Sequence, residues 1–167
     1  MPGSPRYRIV LAKEDFKFSA AHFTLFPGGR AELLHGHNYR VQVELSGSDL
    51  DGVGLLADLE RCKRRVRALC ARLDSRTLLP ASSERLQCNR SGEAVEVRMD
   101  GRSYTLPAAD TLLLPLANTS IELLARMLWH DLAPELRGSL VDTLAVAVEE
   151  SPGQRCWYED RLTAEHP

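Results

Sequence analysis

His35-Gly36-His37-Asn38-Tyr39-Arg40-Val41-Gln42-Val43-Glu44-Leu45 decides how the rest of the chain is read. From Tyr39 to Leu45 apolar and polar side chains alternate, the pattern of a strand with one face buried. On a strand, residues i and i+2 point to the same side, so His35 and His37 converge on one point. Upstream, Asp15-Phe16-Lys17-Phe18-Ser19-Ala20-Ala21-His22 alternates in the same way and ends on a third histidine. Two neighbouring strands thus offer three imidazoles. Three neutral imidazoles with one position left open are the ligand set of a catalytic zinc ion, whereas structural sites usually close with four ligands, often cysteines. The expected metal is therefore Zn2+, held by His22, His35 and His37.

Composition bounds what this strand pair sits in. The 167 residues give room for one ordinary domain with a sizeable core. A hydrophobic fraction of 44% and a charged fraction of 26% are those of a soluble globular protein. The net charge of -2 gives no support to nucleic acid or an anionic membrane as partner. No apolar run has membrane length, and Met1-Pro2-Gly3-Ser4-Pro5-Arg6 lacks the apolar stretch of a signal peptide, so the expected compartment is the cytoplasm. Cys62, Cys70, Cys88 and Cys156 have no C-x-x-C spacing and read as packed, reduced thiols rather than zinc ligands.

Residues 7–18 and 38–47 read as two long strands joined by a loop containing Phe26-Pro27-Gly28-Gly29-Arg30. Asp58 is placed to cap a helix in which Leu59, Cys62, Val66, Leu69, Cys70 and Leu73 recur at helical spacing. The arginine-rich opposite face reads as a solvated one. Residues 84–106 carry the turn dipeptides Ser91-Gly92 and Asp100-Gly101 and form a short meander. A second helix starts near Thr119, with Ile121, Leu124, Ala125, Leu128, Trp129 and Leu132 as its apolar stripe. Residues 140–149 form a buried strand and Cys156-Trp157-Tyr158-Glu159 its hairpin partner; 161–167 are a tail. The order predicts an α+β fold in a single domain over residues 7–160. It consists of a four-stranded antiparallel sheet with two helices on one face, plus the inserted 84–106 meander.

Several segments in this order match a known family: Phe18-Ser19-Ala20-Ala21-His22, His35-Gly36-His37-Asn38-Tyr39, Gly54-Leu55-Leu56-Ala57-Asp58-Leu59, Leu73-Asp74, Asn118-Thr119-Ser120-Ile121-Glu122-Leu123-Leu124-Ala125 and Val148-Glu149-Glu150-Ser151. With them the chain resembles the 6-pyruvoyltetrahydropterin synthase / 6-carboxytetrahydropterin synthase family, which has the tunnelling fold (T-fold). The resemblance implies zinc on His22, His35 and His37, a pterin anchored by Glu150, and substrate contacts from Thr119 and Ser120. It also implies a toroidal homohexamer with sites between subunits. A pterin presents an amino group beside a ring N–H, two parallel donors that one carboxylate accepts together. Glu149 and Glu150 alternate across a strand, so only one faces the pocket, and the resemblance selects Glu150.

Departures from the family pattern choose among its reactions. The synthases place a catalytic cysteine where this chain has Ala31, and a catalytic histidine after the Leu-Asp pair where it has Ser75. Glu32 instead stands at E-x-x-H-G-H spacing, with Pro27 five residues before it. That resembles the subgroup in which glutamate replaces the cysteine and 7,8-dihydroneopterin triphosphate is cleaved between C1′ and C2′ to 6-hydroxymethyl-7,8-dihydropterin, serving folate synthesis. In this reading Glu32 is the base, its pKa raised toward neutrality in a partly dry pocket. Asp74 is left to orient a neighbour or a water. The alternatives are a synthase-type activity with missing groups supplied elsewhere, for instance by Cys88, and a pterin-binding protein without turnover.

Overall fold

The computed structural model describes residues 5–162. Its elements are β1 (Tyr7–Leu11), β2 (Lys17–His22), β3 (His35–Gly47), α1 (Leu59–Leu73), β4 (Arg76–Pro80), β5 (Gln87–Ser91), β6 (Ala94–Met99), β7 (Arg102–Pro107), β8 (Thr111–Leu114), α2 (Ile121–Leu132), β9 (Thr143–Ser151) and β10 (Gln154–Arg161). Of the expected tail, Arg161 ends β10, and residues 163–167 lie outside the described residues.

β3 is the spine of the main sheet. Its residues Tyr39, Val41, Val43 and Leu45 are buried, and one of its edges pairs with β9 from Arg40↔Glu149 to Ser46↔Thr143. The other edge is shared end to end by β2 and β1. The expected single strand over 7–18 is therefore two strands. Leu11 faces Val43 and Lys17 faces Arg40, so residues 12–16 stand opposite only Val41 and Gln42. Side-chain parity requires the break: Ile9 and Leu11 are odd-numbered, whereas Phe16, Phe18, Ala20 and His22 are even, and all pack inward. An unbroken strand would turn one set to solvent. The surplus chain folds out as a turn, with Phe16 N–H donating to Lys13 O and Val41 N–H to Phe16 O, at 3.1 and 2.8 Å.

The sheet is also larger than the four antiparallel strands expected. Seven strands run in the order β10-β9-β3-β2-β4-β8 with β1 beside β3, and β4 pairs parallel to both β2 and β8. Thr77-Leu78-Leu79-Pro80 is a short apolar run without alternation because β4 is covered on both faces, whereas β8 is an edge strand that packs Leu112 and Leu114 inward and leaves Leu113 exposed. Leu78 packs into the main core and Leu79 into a second cluster with Phe23, Val95, Val97 and Met99. β5, β6 and β7 form a separate three-stranded antiparallel sheet over that second cluster.

Both helices cover the β3 face that buries Tyr39 to Leu45. Asp58 caps α1, its carboxylate accepting from the backbone N–H groups of Glu60 and Arg61. α1 buries Cys62, Val66, Leu69, Cys70 and Leu73; α2, capped by Ser120, buries Leu124, Ala125, Leu128, Trp129 and Leu132. Each fully buried leucine here contributes about 1.5–3 kcal/mol of transfer free energy. The basic face of α1 is paired rather than merely solvated: Arg61 with Glu135, Arg67 with Asp15 and Arg72 with Asp131. The cysteines are free thiols. No helix among the described residues is long and apolar enough to cross a membrane.

Gly47 ends β3 where the backbone of Leu140 passes close by. A Cβ there would stand 2.6 Å from Leu56 Cδ1 and closer still to the Leu140 carbonyl oxygen, which cannot swing away. Gly47→Ala is expected to destabilise the fold by about 1–3 kcal/mol, read as a lower denaturant midpoint at unchanged slope. Gly52→Ala, where a Cβ meets open space, serves as the neutral control.

Candidate metal centre

The antiparallel register of β2 and β3 sets His22 opposite His35, Ala20 opposite His37 and Phe18 opposite Tyr39. These pairs lie on the face that carries the core, so the histidines occupy its open end while the Phe18 and Tyr39 rings stack beneath them at 4.7 Å. Ring centroids are 4.9 Å apart for His22 and His35, 5.3 Å for His22 and His37, and 4.7 Å for His35 and His37. On β9, Val148 and Glu150 share this face, and Glu150 Oε1 lies 3.1 Å from His37 Nε2. One donor atom from each of His22, His35, His37 and Glu150 falls within 4.8 Å of the others.

The donor set fits a cation. His22 is fully buried and its Nδ1–H donates to Thr119 O at 2.9 Å; His35 Nδ1–H donates to Leu33 O at 2.8 Å. Because a carbonyl only accepts, each bond fixes the proton on Nδ1 and leaves Nε2 with a lone pair. His22 Nε2 and His37 Nε2 are buried without a hydrogen-bond partner. The close approach of His37 Nε2 to Glu150 lacks hydrogen-bond geometry, so the two groups face a common point rather than each other. Buried lone pairs converging with a carboxylate are costly unless a cation satisfies them.

Burial pushes His22 down from 6.5 to about 4; the Thr119 carbonyl opposes this, and the neighbouring histidines add to it. The imidazole is thus neutral and metal-competent at pH 7. The folded chain binds this proton less tightly than the unfolded chain, so stability is complete above about pH 6.5 and is lost as pH falls toward 4. In metal-free protein the loss is expected to be on the order of 3 kcal/mol, measured by denaturation at several pH values. An equally steep fall in His22→Gln would place the coupling elsewhere.

Glu32 stands beside this cluster. Its Oε2 accepts from Thr24 N–H at 2.9 Å and lies 4.0 Å from His35 Nε2. The expected raised pKa is corrected: burial pushes it up, but the Thr24 hydrogen bond and the nearby His35 and His22 outweigh burial and hold it below its ordinary value. Asp74 ends α1, its Oδ1 accepting from Ser19 N–H at 2.7 Å and its Oδ2 from Ser75 Oγ at 3.3 Å. It ties β2 to the helix end and is absent from the donor cluster.

Thr119 lies behind the histidines. Its fully buried hydroxyl donates to Phe23 O at 2.8 Å while its carbonyl orients His22. Ser120 spends its hydroxyl on capping α2. Neither lines the groove that opens from His37 and Glu150 past Ser19, Asn38 and Ser75 to Asp110, with a volume of 630 Å³. A larger concavity of 780 Å³, at the far end of β3 among Arg6, Ser46 and Asp142, has no such donor cluster among the described residues. Glu149 faces away from the site and pairs with Arg155. Cys88 packs against the meander cluster, and burial pushes its thiol up, which disfavours the nucleophilic thiolate.

Two residues of the matching segments gain supporting roles that the sequence does not assign them. Tyr39 is fully buried under the rings of His22 and His37, 5.7 Å from each, with an unpaired hydroxyl whose pKa is raised by burial. Asn118 accepts from Leu25 N–H and Thr119 N–H and donates to Leu25 O, stitching the turn before α2 to the chain after His22.

Comparison with known proteins gives a consistent result. The family described as 6-pyruvoyl tetrahydropterin synthase matches residues 11–161. A Methanocaldococcus jannaschii protein, provisionally named a 6-carboxy-5,6,7,8-tetrahydropterin synthase, is 28% identical over 149 residues, covering 87% of this chain and 91% of its own. The crystal structure of 6-pyruvoyl tetrahydropterin synthase from Plasmodium vivax superposes with a TM-score of 0.88 at 29% identity, covering 94% of this chain and 99% of the other. A mutant of that Plasmodium vivax protein, in which a glutamate described as a catalytic residue is replaced by alanine, superposes with a TM-score of 0.84 at 28% identity and the same coverage.

Proposed function

Because this chain belongs to the 6-pyruvoyl tetrahydropterin synthase family, a family of pterin lyases, we propose that it is a zinc-dependent lyase of the glutamate type. Its substrate is 7,8-dihydroneopterin triphosphate or a related dihydropterin, and its product is 6-hydroxymethyl-7,8-dihydropterin. The observation that carries this reading is the Glu32 carboxylate, fixed by Thr24 N–H 4.0 Å from His35 Nε2, in a chain with Ala31 and Ser75 where a cysteine and histidine would serve the synthases. The described catalytic glutamate of the Plasmodium vivax relative supports the same role for Glu32.

In this mechanism His22, His35 and His37 hold the zinc ion. When bound, zinc supplies Lewis acidity that lowers the pKa of the side-chain hydroxyls. Glu32, ionised at neutral pH, takes the C2′ hydroxyl proton. As the C2′ carbonyl forms, the C1′–C2′ bond breaks and its electron pair passes to C1′, where the conjugated ring imine spreads the charge. Return of one proton to C1′ completes the hydroxymethyl group, so no external oxidant or reductant is needed. Glu150, lining the groove beside His37 and Asn38, accepts from the pterin amino group and adjacent N–H. A homohexamer is part of the proposal: exposed Trp157 and Tyr7 lie on β10 and β1, at sheet edges that assembly would cover.

The names of the relatives favour one second reading, a 6-pyruvoyl- or 6-carboxytetrahydropterin synthase-type reaction. Incubating the zinc-loaded protein with 7,8-dihydroneopterin triphosphate and identifying products by mass spectrometry separates the two. A 6-hydroxymethyl product is expected. A 6-pyruvoyl or 6-carboxy product establishes the second reading, and pterin binding without product, lost in Glu150→Ala, leaves a binding protein.

A further inference from the structure

The meander reaches the site through its hairpin turn. Asp100 and Gly101 both have positive φ, 47° and 81°, the backbone of a two-residue turn that matches strand twist. That turn brings Asp100 to the Arg85 guanidinium and starts β7 on Arg102. Both arginines then point donors at one loop. Arg102 Nη1 donates to Glu32 O at 2.8 Å and Nη2 to Ala31 O at 3.5 Å; Arg85 Nη1 donates to Phe26 O at 2.8 Å and Nη2 to Arg30 O at 3.2 Å.

The loop they grip is itself a narrow hairpin. Phe26 N–H bonds to Arg30 O, Leu25 bridges Ala31, and Glu32 N–H bonds to Thr24 O. The meander supplies its apolar support as well: Leu25, Ala31 and Leu34 pack on the cluster of Phe23, Leu79, Val95, Val97 and Met99, and the Tyr104 ring stacks near Phe23. Phe23 follows the ligand His22 directly, and Glu32 sits at the other foot of the loop. The Arg85 guanidinium, held by Asp100, is a stiff donor to its carbonyls, and Arg102 is seated by the strand that the turn starts.

We propose that the meander is a clamp on the loop carrying Glu32, with Arg102 and Arg85 as positioning residues that fix where the Glu32 carboxylate stands relative to His35. The role in turnover rests on Glu32 being the base; the clamp on the loop does not. A carboxylate displaced by about 1 Å from its productive position loses on the order of a hundredfold in rate, so loosening these carbonyls reaches the chemistry without touching substrate or metal.

The test compares Arg102→Ala, Arg85→Ala and Arg102→Lys in the zinc-loaded protein, with Arg98→Ala on the exposed side of the same meander as control. For Arg102→Ala and Arg85→Ala, amide exchange of residues 24–32 is expected to speed up at least about tenfold, with β2, β3 and zinc content unchanged. In the same variants kcat on dihydroneopterin triphosphate is expected to fall about 10- to 100-fold at nearly constant KM. Arg102→Lys recovers part of that loss. In a Glu32→Gln background Arg102→Ala causes no further loss, because both changes act through one group. Unchanged exchange in the loop overturns the clamp. Faster exchange with unchanged kcat, or an undiminished further loss in Glu32→Gln, overturns the positioning role. Full activity in Glu32→Gln alone would instead remove the proposed base, and the exchange experiment still decides the clamp.

Discussion

His37→Ala is expected to strip zinc from the protein and to lower turnover of the dihydropterin about a thousandfold. The magnitude follows from a Lewis-acid contribution of several kcal/mol at about 1.4 kcal/mol per factor of ten. His37 is the cleanest of the three candidate ligands to remove. It is only half-buried and faces Ala20 across the strand pair. Truncating it leaves the Phe18 and Tyr39 stack in place. His22, by contrast, is fully buried and tied to Thr119, so its removal mixes metal loss with a packing defect. The check is elemental analysis after dialysis: about one zinc per chain in the parent protein, and a far lower content in the variant at unchanged thermal midpoint in the metal-free state. Equal zinc content in both proteins would mean that the cluster of His22, His35, His37 and Glu150 is not the metal site.

Glu32→Gln is expected to lower kcat by about 10²- to 10⁴-fold, the usual contribution of a positioned general base. Glutamine retains an oxygen to accept the Thr24 N–H, so the loop and its neighbours keep their shape while the basic group is lost. Zinc content and pterin affinity should stay near those of the parent. The pH profile gives a second readout. Glu32 is held below its ordinary value, so base-dependent activity is present above that depressed pKa and falls only in the acid range. The limb should vanish in the glutamine variant. A variant that turns over at the parent rate would remove Glu32 from the chemistry and return attention to the synthase-type reading.

Much of the site was legible because its signals are local. His35-Gly36-His37 needs only strand parity to converge, and Asp58 followed by apolar residues at helical spacing needs only capping and periodicity. What escaped the sequence depends on contacts made at a distance. Strand β4 carries five residues with no period, and only its burial between two cores explains it; β8, at the sheet edge, is too short to show one. The break between β1 and β2 lies in a change of parity between Leu11 and Phe16, visible once both are seen to face inward. The direction of the Glu32 shift is set by Thr24 N–H, and the hold of Arg102 on Glu32 spans 70 residues. Neither leaves a local pattern. The resemblance implies a substrate contact for Thr119; the hold of its carbonyl on His22 is a further role, and a backbone atom has no residue signature.

The shared face of β3 has one more consequence. His35 and His37 continue the odd-numbered series Tyr39, Val41, Val43 and Leu45 that builds the core. A one-residue slip of this strand against its neighbours would turn the imidazoles and the core side chains outward together. A mis-threaded chain would part His35 and His37 from His22 and Glu150, so metal uptake by this cluster would also report the strand alignment. During refolding, the metal-retaining fraction should count the correctly aligned molecules.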